Sequence, residues 1–284
     1  MSRTYAYAGT QPHAVTSVSP LPLGEVQGEG SYIYDANGNM TCRMEDGDVF
    51  IQAYNAENGI STVAKFASGD CTTQGTQLAA WNFGYDGDGT RTAQLYTPYV
   101  DGNPGTPVVS AYFFGGALEV TGGAAKKYYS FAGQSIAMRD STGLQYLLTD
   151  HLGSMVAVLG SNGTLISEQR YLPFGQVRED VGSISQTDFG YTGQRDVAGL
   201  GLMDYHARFY SPYITRWTQP DSIIPGPSIP QLLNRYSYVN NNPIRNFDPS
   251  GHKICEGDSD SPNSCTYFTS IKDELLKYGV SLSG

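Results

Sequence analysis

Asx-Gly dipeptides recur along this chain, among them Asn37-Gly38, Asp86-Gly87, Asp88-Gly89, Asp101-Gly102 and Asn162-Gly163. Each pair accepts the positive φ angles that a tight hairpin turn demands. Several follow strand-like runs that carry tyrosine. The clearest run is Ser31-Tyr32-Ile33-Tyr34-Asp35-Ala36-Asn37-Gly38-Asn39-Met40-Thr41-Cys42-Arg43, which reads as a strand, an Asp- and Asn-led turn, and a return strand. Asn82-Phe83-Gly84-Tyr85-Asp86-Gly87-Asp88-Gly89-Thr90-Arg91 is a second, degenerate copy, and no clean copy stands between Gly47 and Gln77. Hairpins of this kind expose polar edges and one apolar face, so neighbours must stack to bury it. An ordinary meander sheet satisfies the same signals. Either way the fold class is all-β. The 34 Gly, 15 Pro and 21 Tyr agree, since tyrosine suits a half-buried pleated surface with its hydroxyl kept wet.

At 284 residues the chain is long enough for one large all-β domain or two ordinary ones. Its formal charge of -10 repels phosphate backbones, which argues against nucleic acid as a partner. No segment approaches the roughly 18 apolar residues of a membrane span. Met1-Ser2-Arg3-Thr4-Tyr5-Ala6-Tyr7-Ala8 lacks a charged head followed by an apolar run, so no signal peptide is visible. The sequence opens in mid-repeat, the pattern expected of a piece of a longer polypeptide whose export information lies upstream. Cys42, Cys71, Cys255 and Cys265 form no close Cys-x-x-Cys pair, and no histidine stands at zinc-like spacing, so neither metal nor other cofactor is expected. Cys255 and Cys265 flank a polar loop that a disulfide would close in an oxidising compartment; four unrelated thiols fit the spacing equally well.

Several longer phrases occur in a fixed order: Asp150-His151-Leu152-Gly153-Ser154, Tyr171-Leu172-Pro173-Phe174-Gly175, Thr192-Gly193-Gln194-Arg195, Arg208-Phe209-Tyr210-Ser211-Pro212 and Asp248-Pro249-Ser250-Gly251. Together with Tyr34-Asp35…Gly38…Arg43 and Tyr85-Asp86…Gly89…Arg91, they resemble the YD-repeat family and its Rhs repeat-associated core. The core resemblance spans Tyr128 to His252, and the looser repeat resemblance reaches back to about Ser31. It implies YD-repeat β-hairpins forming part of a curled sheet or shell. The organisation implied is degenerate hairpins over 1–127, the Rhs-associated core over 128–252 and a variable tail over 253–284. In that tail Ser270 to Gly279 reads as a short helix, capped by Ser270 with Asp273 three residues on and stopped by Gly279.

The family's core is thought to cut its own backbone by aspartyl-type chemistry. Two carboxyls held close cannot both ionise cheaply, so one serves as base and the other as acid. A nearby guanidinium orients them and stabilises developing charge. The resemblance carries these roles onto Arg208, Asp221 and Asp248, with the cut falling at Gly251-His252-Lys253, after His252. Two departures stand out: the family usually has Asp-Pro where this chain has Asp221-Ser222, and Leu where it has His252. Read without the family, Asp221 and Asp248 open turns by accepting backbone N–H bonds, and Arg208 pairs with a surface acid. His151 has no nucleophile to serve and reads as a turn lock.

The resemblance implies the wall and plug of a shell that encloses a C-terminal toxin segment, secreted or displayed at the cell surface. Its partners would be its own C-terminal segment or effector and an export or toxin-delivery machine. The rival expectations are a non-cleaving adhesion or carbohydrate-binding module, as in the teneurins that share the shell, and a decayed remnant.

Overall fold

The computed structural model describes residues 3–20, 30–131, 133–178, 181–223, 233–256 and 266–267. The expected helix at 270–279 lies outside them. The chain groups into two compact units, Met1–Leu148 with Val156–Glu168, and Thr149–Met155 with Gln169–Gly284. Among the described residues no helix is long and apolar enough to cross a membrane.

The first unit is built on one 16-stranded sheet running in chain order from Arg3–Ala6 to Leu165–Glu168. Each strand pairs with its sequence neighbour, except that the short Asn103–Pro104 strand folds back on Tyr99 and Val100 and Val108–Phe113 takes the place beyond. The all-β expectation therefore holds, as a run of antiparallel hairpins.

The turns explain why aspartate leads them. Asp35 Oδ1 accepts the N–H groups of Asn37 and Asn39, both at 2.9 Å, while Gly38 takes φ 89°. Asp86 does the same for Asp88 and Thr90, at 3.0 and 2.9 Å, with Gly89 at φ 78°. One short side chain thus satisfies donors that a two-strand ladder leaves open.

A third copy fills the stretch where the sequence pattern shows none. Asp48–Tyr54 pairs with Ile60–Phe66. Their loop is opened by Asn55, whose Oδ1 accepts from Glu57 and Gly59 at 3.1 and 2.7 Å. The copy is hard to read because Asn replaces Asp and Asn58 takes the positive φ, 68°, that glycine takes elsewhere. Asparagine tolerates that region because its short side chain bonds locally.

Tyrosine before the Asx residue has its own task. The hydroxyls of Tyr34, Tyr54 and Tyr85 donate to the carbonyls of Val15, Met40 and Ile60, at 3.0, 2.7 and 2.6 Å. Met40 and Ile60 open the return strands of the preceding hairpins, so each tyrosine ties its hairpin to the one before. The repeat's arginine points inward. Arg43 is fully buried, its guanidinium 3.6 Å from the Phe50 ring centre and paired with Glu45. Arg91 lies near Phe83 and Tyr112 in the same manner.

Cys42 and Cys71 are joined in a disulfide, a pairing that the spacing of 29 residues did not reveal. Cys255 is also disulfide-bonded, and Cys265 lies outside the described residues.

The second unit holds a four-stranded antiparallel sheet of Arg195–Val197, Leu202–Asp204, Phe209–Ser211 and Arg216–Trp217. A three-stranded sheet of Asn246–Phe247, Lys253–Glu256 and Thr266–Tyr267 accompanies it. Its core is an aromatic cluster around Tyr205, Tyr210, Trp217 and Tyr238, with the Tyr205 and Trp217 rings edge-to-face at 5.1 Å. Contrary to the expectation of wet hydroxyls, Tyr205, Tyr210 and Tyr238 are wholly buried. Their oxygens find protein partners instead: Tyr205 lies 2.8 Å from Thr192 Oγ1 and donates to Tyr238 at 3.2 Å, and Tyr210 donates to the Phe174 carbonyl at 2.9 Å. Buried polar atoms so satisfied cost little and fix ring orientation. Asp150 opens another Asx turn here, bonding Leu152 and Ser154 at 2.9 and 2.8 Å, with His151 Nε2 2.9 Å from the Ile244 carbonyl. His151 thus pins its turn to a distant loop.

Candidate functional site

Arg208, Asp221 and Asp248 meet in the second unit. Arg208 leads into Phe209–Ser211, Asp221 follows the Arg216–Trp217 strand, and Asp248 follows Asn246–Phe247. All three are buried. Arg208 Nη2 lies 2.9 Å from Asp221 Oδ2 and 3.9 Å from Asp248 Oδ2, so one guanidinium nitrogen faces both carboxylates. Its Nε donates to the Gly251 carbonyl and its Nη1 to the Arg235 carbonyl at 3.1 Å. The guanidinium carbon stands 4.1 Å from the Trp217 ring centre. Burial lowers the Arg208 pKa from its ordinary value, while Asp221 and Asp248 pull it back up. A guanidinium stays charged under such conditions.

Asp248 is the hub of a tight backbone loop. Its Oδ1 accepts the N–H groups of Ser250, Gly251 and Lys253, at 3.0, 2.8 and 3.0 Å. Gly251 sits at φ 79°, and a Cβ there would lie 2.8 Å from the Tyr205 carbonyl, so only glycine fits this bend. Burial raises the Asp248 pKa above the ordinary aspartate value, opposed by Arg208 and by the three amides. Asp221 Oδ1 accepts the Ile223 N–H at 2.9 Å and lies 2.8 Å from His252 Nδ1. Both aspartates therefore do open turns, and both also face one arginine. The local and the paired-acid readings coexist in the same side chains.

Beside these groups is a cavity of about 30 Å³, lined among others by Arg208, Asp221, Arg235, Asp248 and His252. That volume and polarity suit a water molecule. Arg235 went unassigned in the sequence, yet it braces the site: its Nε donates to the Asp221 carbonyl at 2.6 Å, and its own carbonyl accepts the Asp221 N–H at 3.0 Å. Gln194 donates to the Asp248 carbonyl at 3.3 Å. Gln194 belongs to the Thr192-Gly193-Gln194-Arg195 phrase quoted above, but nothing in its spacing, or in that of Arg235, tells a backbone brace from a strand residue.

A run of antiparallel hairpins opened by Tyr-Asx turns is the architecture of a YD-shell segment. The Teneurin YD-shell family profile matches residues 123–244. Teneurin-3 of Danio rerio is 30% identical over 271 residues, 92% of this chain and 9% of that protein. The tRNA nuclease WapA of Bacillus subtilis is 28% identical over 242 residues, 79% of this chain and 9% of that protein. The crystal structure of TcdB2-TccC3-Cdc42 superimposes with a TM-score of 0.64 at 20% identity, over 88% of this chain and 13% of that one, a likeness of fold. The chain belongs to the Rhs/YD-repeat family, and it spans under a tenth of the length of these two curated relatives.

Proposed function

We propose that this chain is a wall and plug segment of an Rhs-type shell that encloses a C-terminal toxin segment and cuts itself after His252. The observation that carries the reading is the pairing of Asp221 and Asp248 on one Arg208 nitrogen, at 2.9 and 3.9 Å, next to the loop in which Asp248 Oδ1 accepts the Lys253 N–H at 3.0 Å. Hydrolysis of the His252–Lys253 bond needs a base to take a proton from water and an acid to give one to the departing nitrogen. Asp248 lies next to that nitrogen, whose N–H it accepts, and burial raises its pKa in the direction of the protonated form an acid requires. Asp221 is the base: it accepts a proton from a water in the adjoining cavity as the water oxygen bonds the His252 carbonyl carbon. The C–N bond then breaks, Asp248 protonates the Lys253 nitrogen, and the products are a His252 carboxylate and a Lys253 amine. Arg208 keeps the two acids together and holds the Gly251 carbonyl, one residue before the cut.

The domain plan of 1–127, 128–252 and 253–284, with a truncated or vestigial tail, accompanies this reading. The Cys42–Cys71 disulfide and the oxidised Cys255 support an oxidising compartment, hence secretion or surface display; a toxin-delivery machine is the partner that a toxin-carrying shell would need. Mass spectrometry of the purified chain tests the cut. A species ending at His252, lost in Asp248→Asn and in Asp221→Asn, is the expected result, and a chain intact at all times refutes it. In that case the likeness to Teneurin-3 makes adhesion the reading to pursue, by glycan-array binding.

A further inference from the structure

We infer that Arg235 is a catalytic residue of the cut, its guanidinium holding the negative charge that forms on the His252 carbonyl oxygen. The inference rests on the self-cleavage reading and deepens it. When a water oxygen bonds the His252 carbonyl carbon, the C=O electron pair moves onto the carbonyl oxygen while a water proton passes to Asp221. The pair returns as the C–N bond breaks and Asp248 gives its proton to the Lys253 nitrogen. An oxyanion formed in this way is stabilised most by a donor already in place.

The cavity beside the site, about 30 Å³, is of water size, so the groups that line it crowd around the same small space. His252, whose carbonyl is attacked, lines it, and so do two arginines, Arg208 and Arg235. Arg208 is committed. Its Nε donates to the Gly251 carbonyl, its Nη1 to the Arg235 carbonyl, and its Nη2 faces Asp221 and Asp248. Arg235 has donors to spare, since a guanidinium carries five N–H groups in a planar fork. Its Nε donates to the Asp221 carbonyl at 2.6 Å and anchors the head group, while among the described residues neither Nη has a protein partner. Asn234, Ser237 and Asn240 also line the cavity, but their donors are neutral. A charge-assisted hydrogen bond is roughly twice as strong as a neutral one.

The test replaces Arg235 by citrulline and, separately, by lysine, and measures the cleavage rate of each full chain beside the parent near neutral pH. Urea unfolding confirms that every chain compared is folded. Citrulline keeps the Nε–H that donates to the Asp221 carbonyl and loses the charge. Arg235→Lys keeps a cation and loses the Nε bond. A role confined to bracing Asp221 has the citrulline chain cutting at the parent's rate and the lysine chain slow. Charge stabilisation reverses that order. The citrulline chain then cuts about a hundredfold slower than the parent, the scale of one lost oxyanion donor, with Arg235→Lys between them. A citrulline chain that cuts as fast as the lysine chain, or faster, overturns the role of Arg235 and leaves self-cleavage standing. A parent chain that stays uncut overturns the self-cleavage reading, and the role of Arg235 with it.

Discussion

Asp248 Oδ1 stands 3.0 Å from the Lys253 amide nitrogen, five residues on, and the same oxygen accepts the amides of Ser250 and Gly251. One carboxylate thus shapes the loop and touches the bond the loop presents. Substitutions at Asp248 should separate those two tasks. Asparagine keeps an acceptor oxygen, so the loop survives while the acid is lost. Alanine strands three amides, costing about 2–4 kcal/mol. Thermal melts should therefore place Asp248→Asn near the parent and Asp248→Ala well below it, with cleavage absent from both.

The raised Asp248 pKa has a sign that can be checked. A folded-state value above the unfolded one means the folded chain binds the proton more tightly. Its stabilising effect is fully present at low pH and lost as pH climbs through the folded value. Asparagine does not titrate. The stability difference between Asp248→Asn and the parent should therefore move in the variant's favour from about pH 3 to about pH 7, measured by urea unfolding. A difference that is flat, or that moves the other way, contradicts the assignment.

Arg208 faces two buried carboxylates and lies over the Trp217 ring. Methionine in its place keeps the stem and deletes the charge. Leaving buried acids without their cation costs about 3–5 kcal/mol. The loss should be smaller at acid pH, where protonation of the acids relieves it. Urea midpoints for Arg208→Met at two pH values decide the point.

Gly251 combines φ 79° with a backbone oxygen 2.8 Å from where a Cβ would sit. Gly251→Ala should therefore be destabilised by about 2–4 kcal/mol and lose cleavage, whereas Gly47→Ala, at φ 85° with nothing near its Cβ, should lose only about 1 kcal/mol. Equal losses at the two positions would show that crowding at Gly251 is not what matters.

In the hairpin sheet, Tyr54→Phe and Tyr85→Phe each delete a hydroxyl bonded to the preceding hairpin, at Met40 and Ile60. Each should cost about 1 kcal/mol. Hydrogen exchange should quicken at the junction between adjacent hairpins rather than within the mutated turn.

Much of this fold is legible in the chain because its determinants are local. An Asx side chain bonds its own loop and a glycine four residues into the turn supplies the positive φ, so Tyr34-Asp35…Gly38 and Tyr85-Asp86…Gly89 announce their hairpins. The same locality explains the miss at Asn55. Asparagine serves as acceptor and Asn58 serves as the left-handed residue, so the physics persists while the letters change. The Cys42–Cys71 bond was illegible because pairing depends on where a loop returns, which spacing does not encode.

The sequence by itself determined the hairpins and the order of the family's phrases, each a property of neighbours along the chain, and the family resemblance named the candidate triad. Only the tertiary structure decided that Arg208, Asp221 and Asp248 share one guanidinium nitrogen, that Arg235 braces them, and that His252 covers Asp221. Those contacts join residues 13 to 40 positions apart. Their geometry is set by the aromatic core and the buried loop at Gly251, where packing rather than local preference places each side chain.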